Sequence, residues 1–253
     1  MLFVVDAGNT NVVGGVFEDG RLVDTLRILT VPGKTEDEYA VIVKAILESR
    51  GVDTGRVDRV IVSSVVPQLT AAMEKLSMQL FGVEPAVLGP ATYGRLPIKV
   101  IAADEIGSDL VANALAAWER FGTACIVVDF GTALTFTAVD PYGTIAGVSI
   151  APGLGTAAGS LSRATAQLPS VPLEVPASAM GRNTVQAIQA GVVLGYTGLV
   201  EYLVGRIKAE LGGARVVATG GLCRVVTGLT KAFDAVDLDL TLHGLALMER
   251  YLF

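Results

Sequence analysis

A short segment of this chain occurs twice, and the recurrence limits the folds that can hold it. "VVDAGNTNVVGGVFEDGRL" spans residues 4–22 and "VVDFGTALTFTAVDPYGTI" spans 127–145. In one register Val4, Val5, Asp6, Gly8, Val16 and Gly20 meet Val127, Val128, Asp129, Gly131, Val139 and Gly143. Each copy reads as an apolar strand, an Asp-x-Gly turn, a second strand, an acidic turn containing glycine, and a third strand. Short Val/Gly-rich stretches can match by chance, but an acid and two glycines held in register point to duplication. Two related halves of roughly 120 residues are expected.

The rest of the chain fits strands mixed with helices. Strand-like runs lie at 2–6, 12–17, 22–29, 57–63, 124–129, 134–139, 144–150 and 215–218. One helical pattern begins at "TEDEYAVIVKAILESRG", where Thr35 and Glu38 have capping-box spacing and Gly51 is a stop. Others cover 67–81, 108–120, 183–211, 222–232 and 241–252, while 166–180, with Pro169, Pro172 and Pro176, reads as loop. This mixture points to an α/β fold.

Composition excludes several classes. Hydrophobic residues make up 51% and charged residues only 17%, below the roughly 25% charged content of soluble proteins. That leanness suggests surface covered in a subunit interface. A net charge of −6 and the lack of any Lys/Arg run argue against nucleic acid. No uninterrupted apolar run reaches the ~18 residues of a membrane span. The start "MLFVVDAG" lacks a basic n-region, so a cytoplasmic protein is expected. Cys125 and Cys223 are too few for a disulfide framework or a thiolate metal site and read as buried thiols. A Ser-His-Asp triad would need the single histidine, His243, and no nucleophile elbow accompanies it.

The paired turns suggest phosphate. Gly8 and Gly131 would let a ligand approach the backbone, and Asn9, Thr10 and Thr132 offer donors for phosphate oxygens. Asp6 and Asp129 suit Mg²⁺ or its waters rather than an anion. A single Asp-x-Gly turn is more simply a hairpin closure; two, each followed by hydroxyls, favour a phosphate clamp. In "VVATGGL", Thr219, Gly220 and Gly221 join a strand to a helix and could pack against a base or ribose. In "EIGSDLVANALAAW", Asp109 follows Gly107 and Ser108 at a helix start. It reads equally as a helix cap or as a general base for an alcohol. Two apparent motifs carry little. "VPGKT" lacks the P-loop's earlier glycine, Ile28 standing there, and "GLGTAAG" (153–159) has one residue too many for a dinucleotide fingerprint.

Taken together, "DAGNT", "GSD" with "NALAAW", "DFGTALTF", "GVSIAPGL", "TAQLP", "GRNT" and "TGGL" resemble the type III pantothenate kinases, of the acetate kinase/Hsp70/actin-like superfamily, over nearly the full length. The resemblance implies two tandem actin-like (ribonuclease H-like) domains with mixed sheets, 1–118 and 119–237, and ATP in the cleft between them. A C-terminal helix, 238–253, would pack back on the first. It implies ATP with Mg²⁺, a monovalent cation (K⁺ or NH₄⁺), and a homodimer whose interface shapes the pantothenate pocket. By the same resemblance Asp6, Gly8, Asn9 and Thr10 handle phosphates in one domain, and Asp129, Gly131 and Thr132 in the other. Asp6 and Asp129 would lie near the cations. Thr219, Gly220 and Gly221 would line the adenosine site. Asp109 matches the catalytic aspartate, and Gly107, Ser108 and Thr184 fall at the acceptor site.

The sequence departs from the family pattern at several points. Leu110 follows Asp109 where the family has an arginine that reaches pantothenate. Ala103 replaces a usual proline, and Leu134-Thr135-Phe136-Thr137 stands for Thr-Thr-Phe-Asp. A lost charged contact is worth ~1.5–3 kcal/mol, unless Arg95, Lys99, Arg163 or Arg182 substitutes. The expected activity is phosphorylation of the pantothenate hydroxyl, the first step toward coenzyme A. The alternatives are a kinase of another hydroxyl compound and a nucleotide-binding regulator with little turnover. Gly191, Gly195 and Gly198 form a small-residue stripe suited to a dimer contact.

Overall fold

A computed structural model of the chain describes residues 1–31 and 33–253; Pro32, within the "VPGKT" stretch, lies outside the described residues. The chain divides into two units, Met1–Ala116 with Leu240–Phe253, and Ala117–Asp239.

The first unit is built on a five-stranded mixed sheet. β1 (Leu2–Ala7), β2 (Asn11–Glu18) and β3 (Arg21–Leu29) form an antiparallel meander. Asp19 and Gly20 close its second hairpin with φ of 50° and 74°, the signature of a type I′ turn. α1 (Glu36–Ser49) starts at a complete capping box: the Thr35 hydroxyl accepts from the Glu38 N–H, and the Glu38 carboxylate accepts from the Thr35 N–H at 2.8 Å. β4 (Arg59–Ser64) then joins β1 in parallel, and after α2 (Pro67–Phe81) the short β5 (Ala86–Val87) extends the sheet. The order is β3-β2-β1-β4-β5. One face of β1 and β4 (Phe3, Val5, Val60, Val62) packs against Tyr39, Val43 and Leu47 of α1 and Leu69, Met73 and Leu76 of α2. These spacings of three and four residues align each helix's apolar stripe with the sheet. Each large side chain so buried contributes about 1.5–3 kcal/mol. α3 (Pro90–Tyr93) and α4 (Ser108–Phe121) follow, and the division between the units falls inside α4.

The second unit repeats the plan. β6 (Cys125–Phe130), β7 (Ala133–Val139) and β8 (Ile145–Pro152) form the meander. α5 (Leu154–Ala164) and a continuous helix, Thr184–Glu210, precede β9 (Arg215–Thr219), which joins β6 in parallel. α8 (Cys223–Thr227) and β10 (Ala235–Val236) complete the order β10-β9-β6-β7-β8, that of the first sheet read from the other edge. β1 and β6 coincide residue for residue under the sequence repeat, and the register shifts at Val16/Phe17 and Ala138/Val139 fall one residue apart. The glycines shared at the second turns are structural. Gly20 closes the hairpin, and Gly143, with φ of 80°, sits in a turn where Asp140 accepts from the Tyr142 and Thr144 N–H groups.

The long helix is α6 (Thr184–Gln189), a π-helical turn at Ala190–Leu194, and α7 (Gly195–Glu210). Its length and a windowed mean hydropathy of 1.4 match a membrane span, although Gln189, Glu201 and Arg206 interrupt it, so no uninterrupted apolar run of that length occurs. Val200 and Val204 are buried in the second unit's core with Phe136, Val216 and Val226. Two expectations differ. The helix expected over 222–232 stops at Thr227, where Gly228 follows, and α5 forms in the glycine-rich segment where no helix was expected. α9 (Leu240–Leu252) belongs to the first unit and packs on β1 and β4, its Gly244 pressed onto the Ala112 carbonyl of α4.

Candidate active site

In each unit the Asp-x-Gly turn sits at the carboxyl end of the two central parallel strands. Asp6 ends β1 and lies in register with Ser63 of β4. The Ser63 hydroxyl donates to Asp6 Oδ1 at 3.3 Å and is 2.8 Å from the Ser108 hydroxyl. Ser63 has one proton to give, so with that proton on Asp6 the Ser108 hydroxyl donates to Ser63. Asp6 is thereby joined to the segment Gly107–Asp109 that opens α4. Gly8, Asn9 and Thr10 form the turn itself. The Gly8 N–H donates to the Asn11 carbonyl at 2.9 Å, the Thr30 hydroxyl donates to the Gly8 carbonyl at 2.7 Å, and Asn9 and Thr10 are exposed.

Asp109 lies in the first turn of α4, where its Oδ1 accepts from the Leu110 N–H at 2.9 Å. The carboxylate folds over Gly107, where a Cβ would collide with it. Because Ser108 already opens α4, Asp109 stands inside the helix rather than at its cap position, with its carboxyl group held at the helix start. Burial pushes its pKa above the ordinary aspartate value, which suits a proton acceptor. Burial, and then the Asp109 charge, push the Tyr93 phenol up to about 12. Leu110, the next residue, is buried and apolar.

In the second unit three separated segments converge. Asp129 ends β6 with Thr135 of β7 and Thr219 of β9 in register on either side. Gly131 and Thr132, both exposed, form the turn. Gly220 has φ of 90°, and a Cβ on it would stand 2.6 Å from Asp129 Oδ1 and 2.7 Å from the Phe130 backbone. Only glycine fits there. Gly221 is exposed, with nothing within 4 Å of a Cβ placed on it. Residues 153–156, set aside in the sequence as a dinucleotide near-miss, also belong to this cluster. The Gly153 N–H and the Thr156 hydroxyl both donate to the Thr132 carbonyl, at 2.9 and 2.7 Å, and a Cβ on Gly153 would overlap Gly131 and Thr132.

Ser63 and Gly153 were missed from sequence. Their signals were present: "VIVSS" ends an apolar strand in hydroxyls, and "APG" directly precedes a helix. Thr184 belongs to a different feature of the second unit. It is exposed at the start of α6, after the Asn183 cap, and lines an open groove of about 590 Å³ whose lining residues include none from the Asp129 cluster. His243 packs edge-on to Phe17, at 6.2 Å between ring centroids. Both cysteines are buried and free. Burial pushes Cys125 up to about 12, and raises Cys223 with a further contribution from the Asp129 charge.

The sequence model of the type III pantothenate kinase family matches residues 2–206. The chain belongs to this family. Type III pantothenate kinases of Myxococcus xanthus and Geobacter sulfurreducens are 44% and 41% identical to it over 98% of its length, covering 97% and 98% of their own. Among solved structures, a candidate 2-dehydro-3-deoxygalactonokinase from Sinorhizobium meliloti superposes with a TM-score of 0.60 at 12% identity, covering 99% of this chain and 96% of that one. The two repeated mixed sheets are thus the actin-like sugar-kinase fold.

Proposed function

We propose that this chain is an ATP-dependent kinase that phosphorylates the hydroxyl of pantothenate, giving 4′-phosphopantothenate in the first step of coenzyme A biosynthesis. The observation that carries the reading is the near-full-length match to type III pantothenate kinases, with an aspartate of raised pKa at the acceptor segment.

The residues fit a nucleotide with its metal. Asn9, Thr10, Gly131 and Thr132 are exposed and bring hydroxyl and amide donors, Gly220 brings side-chain-free backbone against Asp129, and an aspartate stands near the end of each central strand. Among the described residues no three His, Cys, Asp or Glu side chains cluster. That suits Mg²⁺, which is commonly held through one or two carboxylates and substrate phosphates rather than in an all-protein cage. Asp6, Asn9, Thr10, Asp129 and Thr132 would hold the phosphates and metal, and Thr219, Gly220 and Gly221 the adenosine. ATP with Mg²⁺ supplies the phosphoryl group and neutralises its developing charge.

This chain's own part is positioning and proton transfer. Asp109 takes the hydroxyl proton of the acceptor as the oxygen–phosphorus bond forms, and Ser63, through Ser108 and Asp6, fixes the acceptor segment relative to β1. A monovalent cation (K⁺ or NH₄⁺), a cytoplasmic location and a homodimer complete the proposal. The exposed Gly191, Gly195 and Gly198, each with open space at its Cβ, support close packing by a second copy. Buried Leu110 favours one further reading, a kinase whose acceptor lacks a carboxylate. A panel of hydroxyl acceptors in Mg²⁺ and K⁺, read by ADP release, separates the two: pantothenate is expected to give the highest kcat/KM, and preference for a neutral alcohol would favour the second. Light scattering at micromolar concentration tests assembly, with twice the chain mass expected and a monomer contradicting it.

A further inference from the structure

We infer that Thr30 is a positioning residue of the nucleotide site, holding the Gly8–Thr10 turn in the conformation that meets phosphate; the assignment rests on the kinase reading. β3 ends at Leu29, which pairs with Asn11, and Thr30 is the first residue beyond it. Its N–H donates to the Thr10 carbonyl at 2.9 Å, and its hydroxyl donates to the Gly8 carbonyl at 2.7 Å. One half-buried residue thus ties back the carbonyls of both residues that flank Asn9. A carbonyl oxygen has no proton to offer a phosphate, so a turn that receives one must face its carbonyls elsewhere. The peptide unit is planar and trans, so a Gly8 carbonyl held toward Thr30 sends the N–H of exposed Asn9 to the opposite side. Backbone N–H groups presented in this way are what anion-binding turns use.

The tie is anchored, and it is built twice. The Val31 N–H donates to the Tyr39 hydroxyl at 3.4 Å, and Tyr39 is buried in the first unit's core. In the second unit β8 ends at Pro152, which pairs with Ala133 as Leu29 pairs with Asn11. The offset that carries Val4 onto Val127 carries Thr30 onto Gly153, the first residue beyond β8. The Gly153 N–H donates to the Thr132 carbonyl at 2.9 Å, and a threonine hydroxyl joins it again, that of Thr156, at 2.7 Å. Two turns of different sequence therefore keep the same pair of ties, an N–H and a hydroxyl from just beyond the third strand. The N–H bonds continue each ladder; the added hydroxyls fix where the turn's carbonyls point.

Steady-state kinetics with ATP and pantothenate, and titration calorimetry with ADP and with adenosine, test the assignment on the full chain. Thr30→Val keeps the N–H and the side-chain shape and removes only the hydroxyl. It is expected to raise the KM for ATP about three- to tenfold, the worth of one hydrogen bond, and to weaken ADP by a similar factor. The KM for pantothenate and the affinity for adenosine, which carries no phosphate, should not change. Thr30→Ser restores the hydroxyl and should recover the KM for ATP. Thr30→Ala is the second variant should Thr30→Val fold poorly by circular dichroism. An unchanged KM for ATP, an equal rise in both KM values, or equal losses for ADP and adenosine would overturn the role of Thr30 while leaving the kinase reading intact. Loss of folding in both variants, with Thr30→Ser intact, would assign the hydroxyl to stability alone and overturn it too. A wild type that binds ADP no more tightly than adenosine would overturn the phosphate reading and this assignment with it.

Discussion

Thr219 stands beside Asp129 on the adjoining parallel strand, as Ser63 stands beside Asp6. Each unit therefore ends its two central strands in an acid and a hydroxyl, and in the first unit the hydroxyl bonds the acid.

Ser63 should matter to phosphate handling and to stability together. Ser63→Ala removes the link between Asp6 and Ser108 and leaves the buried Ser108 hydroxyl without that partner. A loss of about 1–3 kcal/mol in unfolding free energy is expected, with KM for ATP raised several-fold and KM for the acceptor less affected. The double variant Ser63→Ala/Ser108→Ala should lose less than the sum of the single losses, because the two share one bond. Additive losses would count against the relay.

Asp109→Asn cannot accept a proton, and kcat should fall about 10²- to 10⁴-fold. In the wild type, the acid limb of kcat/KM should lie above the ordinary aspartate value of 3.8, because burial raises this pKa. The stability sign follows from the same shift. A raised carboxyl pKa means the folded state holds the proton more tightly, so its contribution is fully present below 3.8 and is lost as pH rises through the folded value. Asp109→Asn should therefore melt above the wild type at pH 8, and the gap should narrow as pH falls toward 4. Calorimetry across that range reads it directly.

Gly220→Ala places a Cβ 2.6 Å from Asp129 Oδ1 on a backbone with φ of 90°, and Gly153→Ala drives one into the 131–132 turn. Each should cost about 1–3 kcal/mol of stability, and ATP affinity should fall further than acceptor affinity. Nucleotide binding by titration calorimetry checks this; unchanged ATP affinity in both variants would remove these glycines from the nucleotide site.

The thiols should be inert while the chain is folded. Cys125 is pushed up to about 12 and Cys223 is raised, both by burial first, so little thiolate exists at pH 8. Iodoacetamide is expected to leave native protein unlabelled and to add two groups after denaturation, matching the two cysteines.

Much of the fold was written locally. The repeat placed β1 and β6 because an apolar run ending in Asp-x-Gly has few other uses, and Thr35 with Glu38 marked the start of α1. What stayed hidden depended on partners distant in sequence. Gly153 looked like a failed motif because its meaning lies in the Thr132 carbonyl that it meets, and Ser63 could be paired with Asp6 only once β4 lay parallel to β1. α5 was obscured by glycines of low helix propensity, and the two-residue strands β5 and β10 are too short to show a period. Asp109 was read correctly as a helix-start residue, but its raised pKa follows from burial that no local pattern reports.

The most direct test of the account is the mass of the product formed from ATP and pantothenate in Mg²⁺ and K⁺ by the wild type and by Asp109→Asn. The account predicts 4′-phosphopantothenate with stoichiometric ADP from the wild type and at least a hundredfold less from the variant. A folded wild type that binds ATP yet forms no phosphopantothenate, or a variant that forms it at the wild-type rate, would contradict it.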